Sequence, residues 1–356
     1  MTTMSVRGVS LFVKVTGHGY PLVLMHGGPG VDHTTLLPLH PLANHFTLVF
    51  YDHRCNGRSE GAAVSSMTWE NLTADAEALR QILGFDKWAV IGHSFGGMVA
   101  LEYALRYPQS LSHLVLMDTC GDSRWAQQNA PKILAKRGYS PTTVKTAQRF
   151  FNGQIAPDEM VTAMRKFGSA YYHRPSPLLL AHEVISGLRM KLRPEALIFG
   201  FGQLLKGWTV MDRLNEIKVP TLVVAGRDDF QFPPEHQAAL VAGIANAHLE
   251  IIERAGHNAQ SERPAEVMET VKGFIVAVTP SRAYQETARA CFFLKEDPWG
   301  AGAANNAFHP TALRARKSAA SRAFSVLCGE VAHAEPARRV NAARWAALTS
   351  YVVTRT

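Results

Sequence analysis

The chain has 356 residues, 47% hydrophobic and 19% charged, with a formal net charge of +8. That apolar share can fill one large core or two small ones, and no uninterrupted apolar run of about 18 residues predicts a membrane span. The positive balance is uneven: residues 1–119 with 219–280 carry 11 basic and 17 acidic residues, 120–218 carry 15 and 7, and 281–356 carry 11 and 5. The excess therefore sits in the middle and the tail, with no basic stripe interleaved with aromatics, which argues against nucleic-acid binding.

The elements follow in chain order. The start lacks a charged segment followed by a long apolar stretch, so a cytoplasmic location is expected. Val9–Val15 reads as a short strand. Pro21–Met25 (PLVLM) is a buried strand that runs into the glycine-rich loop His26-Gly27-Gly28-Pro29-Gly30. Phe46–Tyr51 is another strand. Thr68–Leu83 is an amphipathic helix, with Leu72, Ala76, Leu79 and Leu83 at helical spacing. Trp88–Ile91 is a strand, and Met98–Tyr107 has helical spacing and stops before Pro108. Leu111–Met117 is the next strand, and residues from about 120 to 216 read as helical. Thr221–Ala225 resumes the strands, Pro234–Ala245 is a helix, His248–Ile252 is the last strand and Glu262–Val276 is the closing helix.

Short all-apolar strands alternating with helices predict an α/β fold with a mostly parallel, doubly wound sheet. The expected organisation is a core of 1–119 and 219–280, a helical cap of 120–218, and a tail of 281–356. Alanine occupies 19 of the last 76 positions, and the strand–helix alternation does not continue there. The tail is therefore either a disordered or partly helical appendage, or sequence read out of frame or past a natural stop. Cys55, Cys120, Cys291 and Cys328 show neither CxxC pairing nor metal-ligand spacing, and read as free thiols in a reducing compartment.

The chemistry centres on Gly92-His93-Ser94-Phe95-Gly96-Gly97, placed between a strand and a helix. Gly-x-Ser-x-Gly in that setting puts a serine on a sharp turn whose flanking chains leave no room for side chains. A nucleophilic serine needs a base, an acid that orients the base, and N–H donors for the oxyanion. The acid and base should follow later strands, on loops at their carboxyl ends. His257, in Glu253-Arg254-Ala255-Gly256-His257-Asn258, is the candidate base. Asp229, in Gly226-Arg227-Asp228-Asp229-Phe230, is the candidate acid, with Asp228 as its rival. The oxyanion donors are assigned to Phe95 and Gly28, with Gly27 as the alternative to Gly28. Gly27, His93 and Trp208 are further candidates for substrate binding. Asp52, Arg54 and Arg58 are expected to form a structural ion-pair and loop-bracing network without a chemical role, and nothing suggests that Cys55 acts as a nucleophile.

Five motifs in this order (HGGPG at 26–30, Tyr51 to Ser59, GHSFGG at 92–97, GRDD at 226–229 and AGH at 255–257) resemble the α/β-hydrolase superfamily over residues from about 5 to 278. HGGPG and Asp-x-Arg-x-x-Gly-Arg-Ser resemble the proline iminopeptidase branch, where His53 and Cys55 are departures. GHSFGG is more typical of esterases. The resemblance implies acyl transfer to water through Ser94, with no metal or organic cofactor. A carboxylesterase acting on a small-molecule ester leads. An iminopeptidase or amidase, a lactonase or carbon–carbon hydrolase, and a non-catalytic receptor stay open. An aminopeptidase needs carboxylates for its substrate's ammonium group, and Glu183 and Glu195 are the candidates; the seven acids of the cap against fifteen basic residues favour esters. Oligomeric state is not readable from these features.

Overall fold

The computed structural model describes residues 2–60 and 62–278, with the side chains of 178, 180–184 and 278 excepted. The expected tail, 281–356, lies outside the described residues. The sheet has eight strands: β1 (Thr2–Val6), β2 (Val9–Gly17), β3 (Tyr20–Met25), β4 (Phe46–Tyr51), β5 (Trp88–His93), β6 (Leu111–Met117), β7 (Thr221–Gly226) and β8 (Ala247–Ile252). Their order is β1-β2-β4-β3-β5-β6-β7-β8. The β1/β2 and β2/β4 pairs are antiparallel and every pair from β4 to β8 is parallel. The sequence reading does not include β1, because only Val6 of that edge strand is buried and no apolar alternation marks it.

The parallel strands read as continuous apolar runs because both of their faces are covered. Leu22 and Leu24 of β3, Ala89 and Ile91 of β5, and Leu222 and Val224 of β7 join one apolar layer. Val23, Met25, Trp88, Val90 and Val223 join the other. A period of two thus separates two cores in strands whose sequence shows no polar side.

The helices are α1 (Trp69–Ile82), α2 (Phe95–Arg106), α3 (Arg124–Lys136), α4 (Pro141–Phe151), α5 (Met160–Phe167), α6 (Pro177–Arg189), α7 (Pro194–Phe199), α8 (Pro234–Gly243), α9 (Ala259–Glu262) and α10 (Pro264–Val278). Proline opens five of them, where its missing N–H costs nothing and its φ suits the first turn. Thr68 caps α1 by accepting from the Asn71 N–H. Helices α3 to α7 form a block between β6 and β7 and lie against the core loops. Arg193 N–H donates to Gly30 O at 2.7 Å, Lys191 N–H to Asp32 Oδ2 at 2.8 Å, and Arg58 Nη2 to Arg189 O at 2.6 Å. Pro29 packs on Gly200, where a Cβ would collide with the ring. Among the described residues no helix is long and apolar enough to cross a membrane, and Cys55 and Cys120 are free thiols.

Candidate active site

Strand order reverses beside β3: the chain leaves β3 for β4 on one side and returns as β5 on the other. Ligand crevices in such sheets open outside the carboxyl ends of the strands at this reversal. The 26–30 loop follows β3 there, and Ser94 follows β5.

Ser94 has φ 54° and ψ −121°, a left-handed conformation that non-glycine residues seldom adopt. The turn is held from several sides. Ser94 N–H donates to Met117 O at 3.0 Å, and Ser94 O accepts from Thr119 Oγ1 at 2.7 Å. A Cβ on Gly97 would meet the Thr119 side chain at 2.5 Å, and one on Gly92 would meet Gly96 O at 2.5 Å. The glycines therefore let β5, α2 and the end of β6 close around the serine.

His257 Nε2 lies 2.9 Å from Ser94 Oγ, and His257 Nδ1 lies 2.9 Å from Asp229 Oδ2. A carboxylate only accepts, so Nδ1 carries the proton and Nε2 faces the hydroxyl as an acceptor. An imidazole so placed can take the serine proton, and the carboxylate can stabilise the cation that forms. Asp229 Oδ1 accepts from the Gln231 N–H at 2.8 Å, so both of its oxygens are occupied. Asp228 points elsewhere: it pairs with His173 Nδ1 at 2.7 Å, and its backbone O accepts from Arg137 Nη2 at 2.6 Å.

The histidine loop is tied down by side chains from distant segments. Glu262 accepts from Gly256 N–H at 2.6 Å and from His173 N–H at 2.9 Å. His93 Nε2 donates to His257 O at 2.9 Å. His93 is buried, and burial followed by the neighbouring His257 lowers its pKa to about 3, so it stays neutral. Asp118, also buried, accepts from Gly226 N–H at 2.7 Å. Burial first, and then Asp229, push its carboxyl well above the usual range.

Gly28 and Phe95 flank Ser94. Phe95 opens α2, so its N–H is one of those that a helix cannot satisfy internally. The orientation of Gly28 follows from His26. His26 Nε2 accepts from His53 N–H at 3.0 Å, leaving Nδ1 to donate to Gly27 O at 2.7 Å. In a trans peptide the N–H opposes the C=O, so fixing the Gly27 carbonyl turns the Gly28 N–H the other way. Gly28 has φ +116°, which favours glycine, and it lines the same recess as Ser94 and Phe95. Gly27 is packed against His93 and Ser94, where a Cβ would lie 3.1 Å from His93 Nδ1.

These groups form the floor of a cavity of about 1060 Å³. Gly27 and His93 line it, as do Phe150, Tyr171 and Phe201 from the helical block. Its charged lining comes from Arg165 and Arg189; no carboxylate lines it among the described residues. The structure places Trp208 elsewhere. Its Nε1 donates to Glu102 Oε1 at 2.8 Å and its ring lies 4.9 Å from that of Trp69, so it packs the helical block on the core instead of facing substrate. Glu195 is exposed in the first turn of α7 and does not line the cavity; the side chain of Glu183 lies outside the described residues.

The ion-pair and loop-bracing network expected around Asp52, Arg54 and Arg58 is present and draws most of its partners from outside the segment. Arg54 Nε and Nη2 each donate to Asp75 at 2.6 Å, Arg58 pairs with Asp32, and Asp52 accepts from His33 Nδ1 at 2.7 Å and from Arg58 N–H at 2.8 Å. Asp32, His33 and Asp52 are close enough to hold a metal ion, but donors from His33, Thr34 and Arg58 already occupy the carboxylate oxygens. Sequence reasoning missed His26, Asp118, Glu262 and Gln231 around the site. Only the position of Asp118 at a strand's carboxyl end, and that of Gln231 two residues after Asp229, were visible signals.

Residues 20–264 match a family model described as the alpha/beta hydrolase fold. A proline iminopeptidase from Saccharolobus solfataricus is 30% identical over 284 residues, covering 75% of this chain and 89% of that one. A 2-hydroxy-6-oxo-6-phenylhexa-2,4-dienoate hydrolase from Burkholderia cepacia is 26% identical over 273 residues, covering 73% and 90%. A thermophilic esterase structure from Thermogutta terrifontis superposes with a TM-score of 0.58 at 23% identity, covering 78% and 99%.

Proposed function

The chain belongs to the alpha/beta hydrolase family, and within it we propose a serine hydrolase that cleaves carboxylic esters of small molecules through an acyl-enzyme. The observation that carries this reading is the continuous hydrogen-bonded line from Asp229 through His257 to Ser94 on a cavity floor. Ser94 Oγ attacks the ester carbonyl as His257 Nε2 takes its proton. The N–H groups of Gly28 and Phe95 hold the oxyanion. The tetrahedral intermediate collapses, the C–O bond to the alcohol breaks, and His257 returns the proton to the leaving oxygen. Water then attacks the acyl carbon, with His257 again as base, and the carboxylic acid leaves.

Esters are favoured over free amines by the charged lining. An ammonium group needs carboxylates, and the described lining offers Arg165 and Arg189 instead. The second reading, an iminopeptidase, is favoured by the 30% identical relative of that name. A short-chain p-nitrophenyl ester and a proline arylamide, each given to the wild type and to Ser94→Ala, separate them. Ester turnover by the wild type alone is expected. Dominant arylamide cleavage would put the second reading first. Turnover of the ester by Ser94→Ala at the wild-type rate would refute both.

A further inference from the structure

The loop that carries His257 follows β8, the edge strand, so it has a neighbouring strand on one side only. The helical block supplies further support. Between α5 and α6, Tyr171 and Tyr172 lie directly on this loop. Asn258 N–H donates to Tyr171 O at 3.2 Å, and a Cβ on Gly256 would meet the same oxygen at 2.6 Å. Tyr171 lines the cavity, and its ring lies 5.4 Å from that of His257.

Glu262, at the end of α9, joins the two segments. Its Oε2 accepts from the N–H of Gly256, the residue before the base, at 2.6 Å, and its Oε1 accepts from His173 N–H at 2.9 Å. The Arg174 N–H faces the same carboxylate. Burial pushes this carboxyl above its usual range, and the N–H donors oppose the rise. All of these donors belong to the main chain, so the carboxylate fixes backbone on both sides, and bonds of this charge-assisted kind are stronger than neutral ones. The same stretch is seated a second time: His173 Nδ1 pairs with Asp228 Oδ2 at 2.7 Å, and Arg137 donates to Ala170 O at 3.3 Å and to Asp228 O at 2.6 Å. No step of the proposed reaction uses Glu262.

We propose that Glu262 is a positioning residue that fastens the catalytic base to the helical block, so that residues 170–173 set the place of the His257 imidazole beside Ser94. This stretch of the block is then a fixed part of the catalytic apparatus, not a lid that swings clear of it. The inference rests on the serine-hydrolase reading above. A displacement of about 1 Å in a reacting group can cost about 100-fold in rate. Glu262 touches neither Ser94 nor the imidazole, so its loss acts on the chemical step through the position of the base and appears in kcat rather than KM.

The test compares the wild type with Glu262→Gln, which keeps the shape and one acceptor oxygen, and with Glu262→Ala, which removes both bonds. Three quantities are read beside the Tm: the rate at which a fluorophosphonate labels Ser94, the kcat and KM for a p-nitrophenyl ester, and the downfield proton resonance of His257 Nδ1–H in its bond to Asp229. Labelling and kcat are expected to fall about tenfold in Glu262→Gln and about 100-fold in Glu262→Ala, with KM within about twofold and the resonance shifted and broadened. Gly256→Ala drives the base loop off Tyr171 O while leaving Glu262 in place, and should slow labelling about tenfold. A lowered Tm with labelling, kcat and the resonance all as in the wild type makes Glu262 a brace of the fold alone and overturns the proposal. If Glu262→Ala does not fold, Glu262→Gln decides by the same readouts. Labelling of Gly256→Ala at the wild-type rate overturns the part given to the helical block. A wild type that is neither labelled nor active on esters sinks the serine-hydrolase reading beneath, and the resonance then still tests the hold of Glu262 on the base.

Discussion

One substitution made at two places separates steric from conformational control of the serine turn. Gly96→Ala and Gly273→Ala both replace a helical glycine, which by intrinsic propensity stabilises by about 0.5–1 kcal/mol. Gly273 lies within α10 and nothing stands within 4 Å of the added Cβ, so it should realise that gain. Gly96 lies in the first turn of α2, where the Cβ would fall 2.5 Å from His26 O and nearer still to Met25 O. Both obstacles are backbone atoms at the end of β3, and Met25 is held in the sheet beside Gly92 and Tyr51. They cannot rotate away, so α2 must slide by about 1 Å, an overpacking strain in the upper part of the usual ~1–3 kcal/mol range. The strain exceeds the propensity gain, leaving a net loss of about 2 kcal/mol, or roughly 4–8 °C in Tm for a domain of this size. Gly273→Ala should instead raise Tm by about 1–4 °C. Because the displaced turn carries Ser94, kcat/KM should fall about 100-fold in Gly96→Ala and stay unchanged in Gly273→Ala. Thermal melts and ester kinetics on both variants decide it. A Gly96→Ala protein with a raised Tm, or with a lowered Tm but unimpaired kcat/KM, refutes the reasoning.

The choice between the two adjacent acids is tested by Asp229→Asn and Asp228→Asn. The first should cost about 10³–10⁴ in kcat, because the imidazole loses the partner that fixes its tautomer. The second should leave kcat near wild type, since the Asp228 side chain pairs with His173 and its bonds to Arg137 and Ala255 run through the backbone. Trp208→Phe should lower stability by about 1–3 kcal/mol by removing the donor to buried Glu102, with kcat/KM unchanged; a large KM effect would return Trp208 to the substrate site. Acid should weaken the fold through histidines that burial keeps neutral. The pKa of His93 falls to about 3 and that of His113 to about 4, both by burial first. Their contribution is complete above the unfolded value near 6.5 and is lost as pH falls from there toward the folded value. At pH 5 each costs about 2 kcal/mol, so His113→Phe should shrink the loss of stability between pH 7 and pH 5 by about that much in denaturant titrations.

The parallel strands were legible because burial on both faces demands short continuous apolar runs, and those runs are present at Pro21–Met25, Trp88–Ile91 and Thr221–Ala225. Ser94 and Asp229 were legible because each follows such a run on a loop at its carboxyl end, and His257 because it follows the last strand, an edge strand whose alternate residues are exposed. The choice of Asp229 over Asp228 was not: neighbouring loop residues point in different directions, and only the fold decides which one faces the imidazole. Trp208 shows the opposite limit. An aromatic in a helical block looks the same in sequence whether it faces a cavity or the core. Its partners, Glu102 and Trp69, lie more than 100 positions away in the chain and leave no local trace.

The same limit hides how the site is kept in register. Ser94, Asp229 and His257 sit on loops after β5, β7 and β8, so their alignment depends on ties between loops rather than on any one element. Two of those ties use buried ionisable residues whose charged forms burial disfavours. His93, neutral down to a pH of about 3, holds His257 O, and Asp118, its carboxyl held well above the usual range, holds Gly226 N–H three residues before Asp229. A charged residue in either place would add a second field beside the imidazole and alter its basicity. A purely apolar residue would leave a loop carbonyl or N–H unsatisfied. A buried polar residue whose charged form burial disfavours satisfies the loop group and limits the field at the imidazole. His93, a substrate-binding candidate by sequence, is thus by geometry a support for the histidine loop, and Asp118 gives the same kind of support to the loop that carries Asp229.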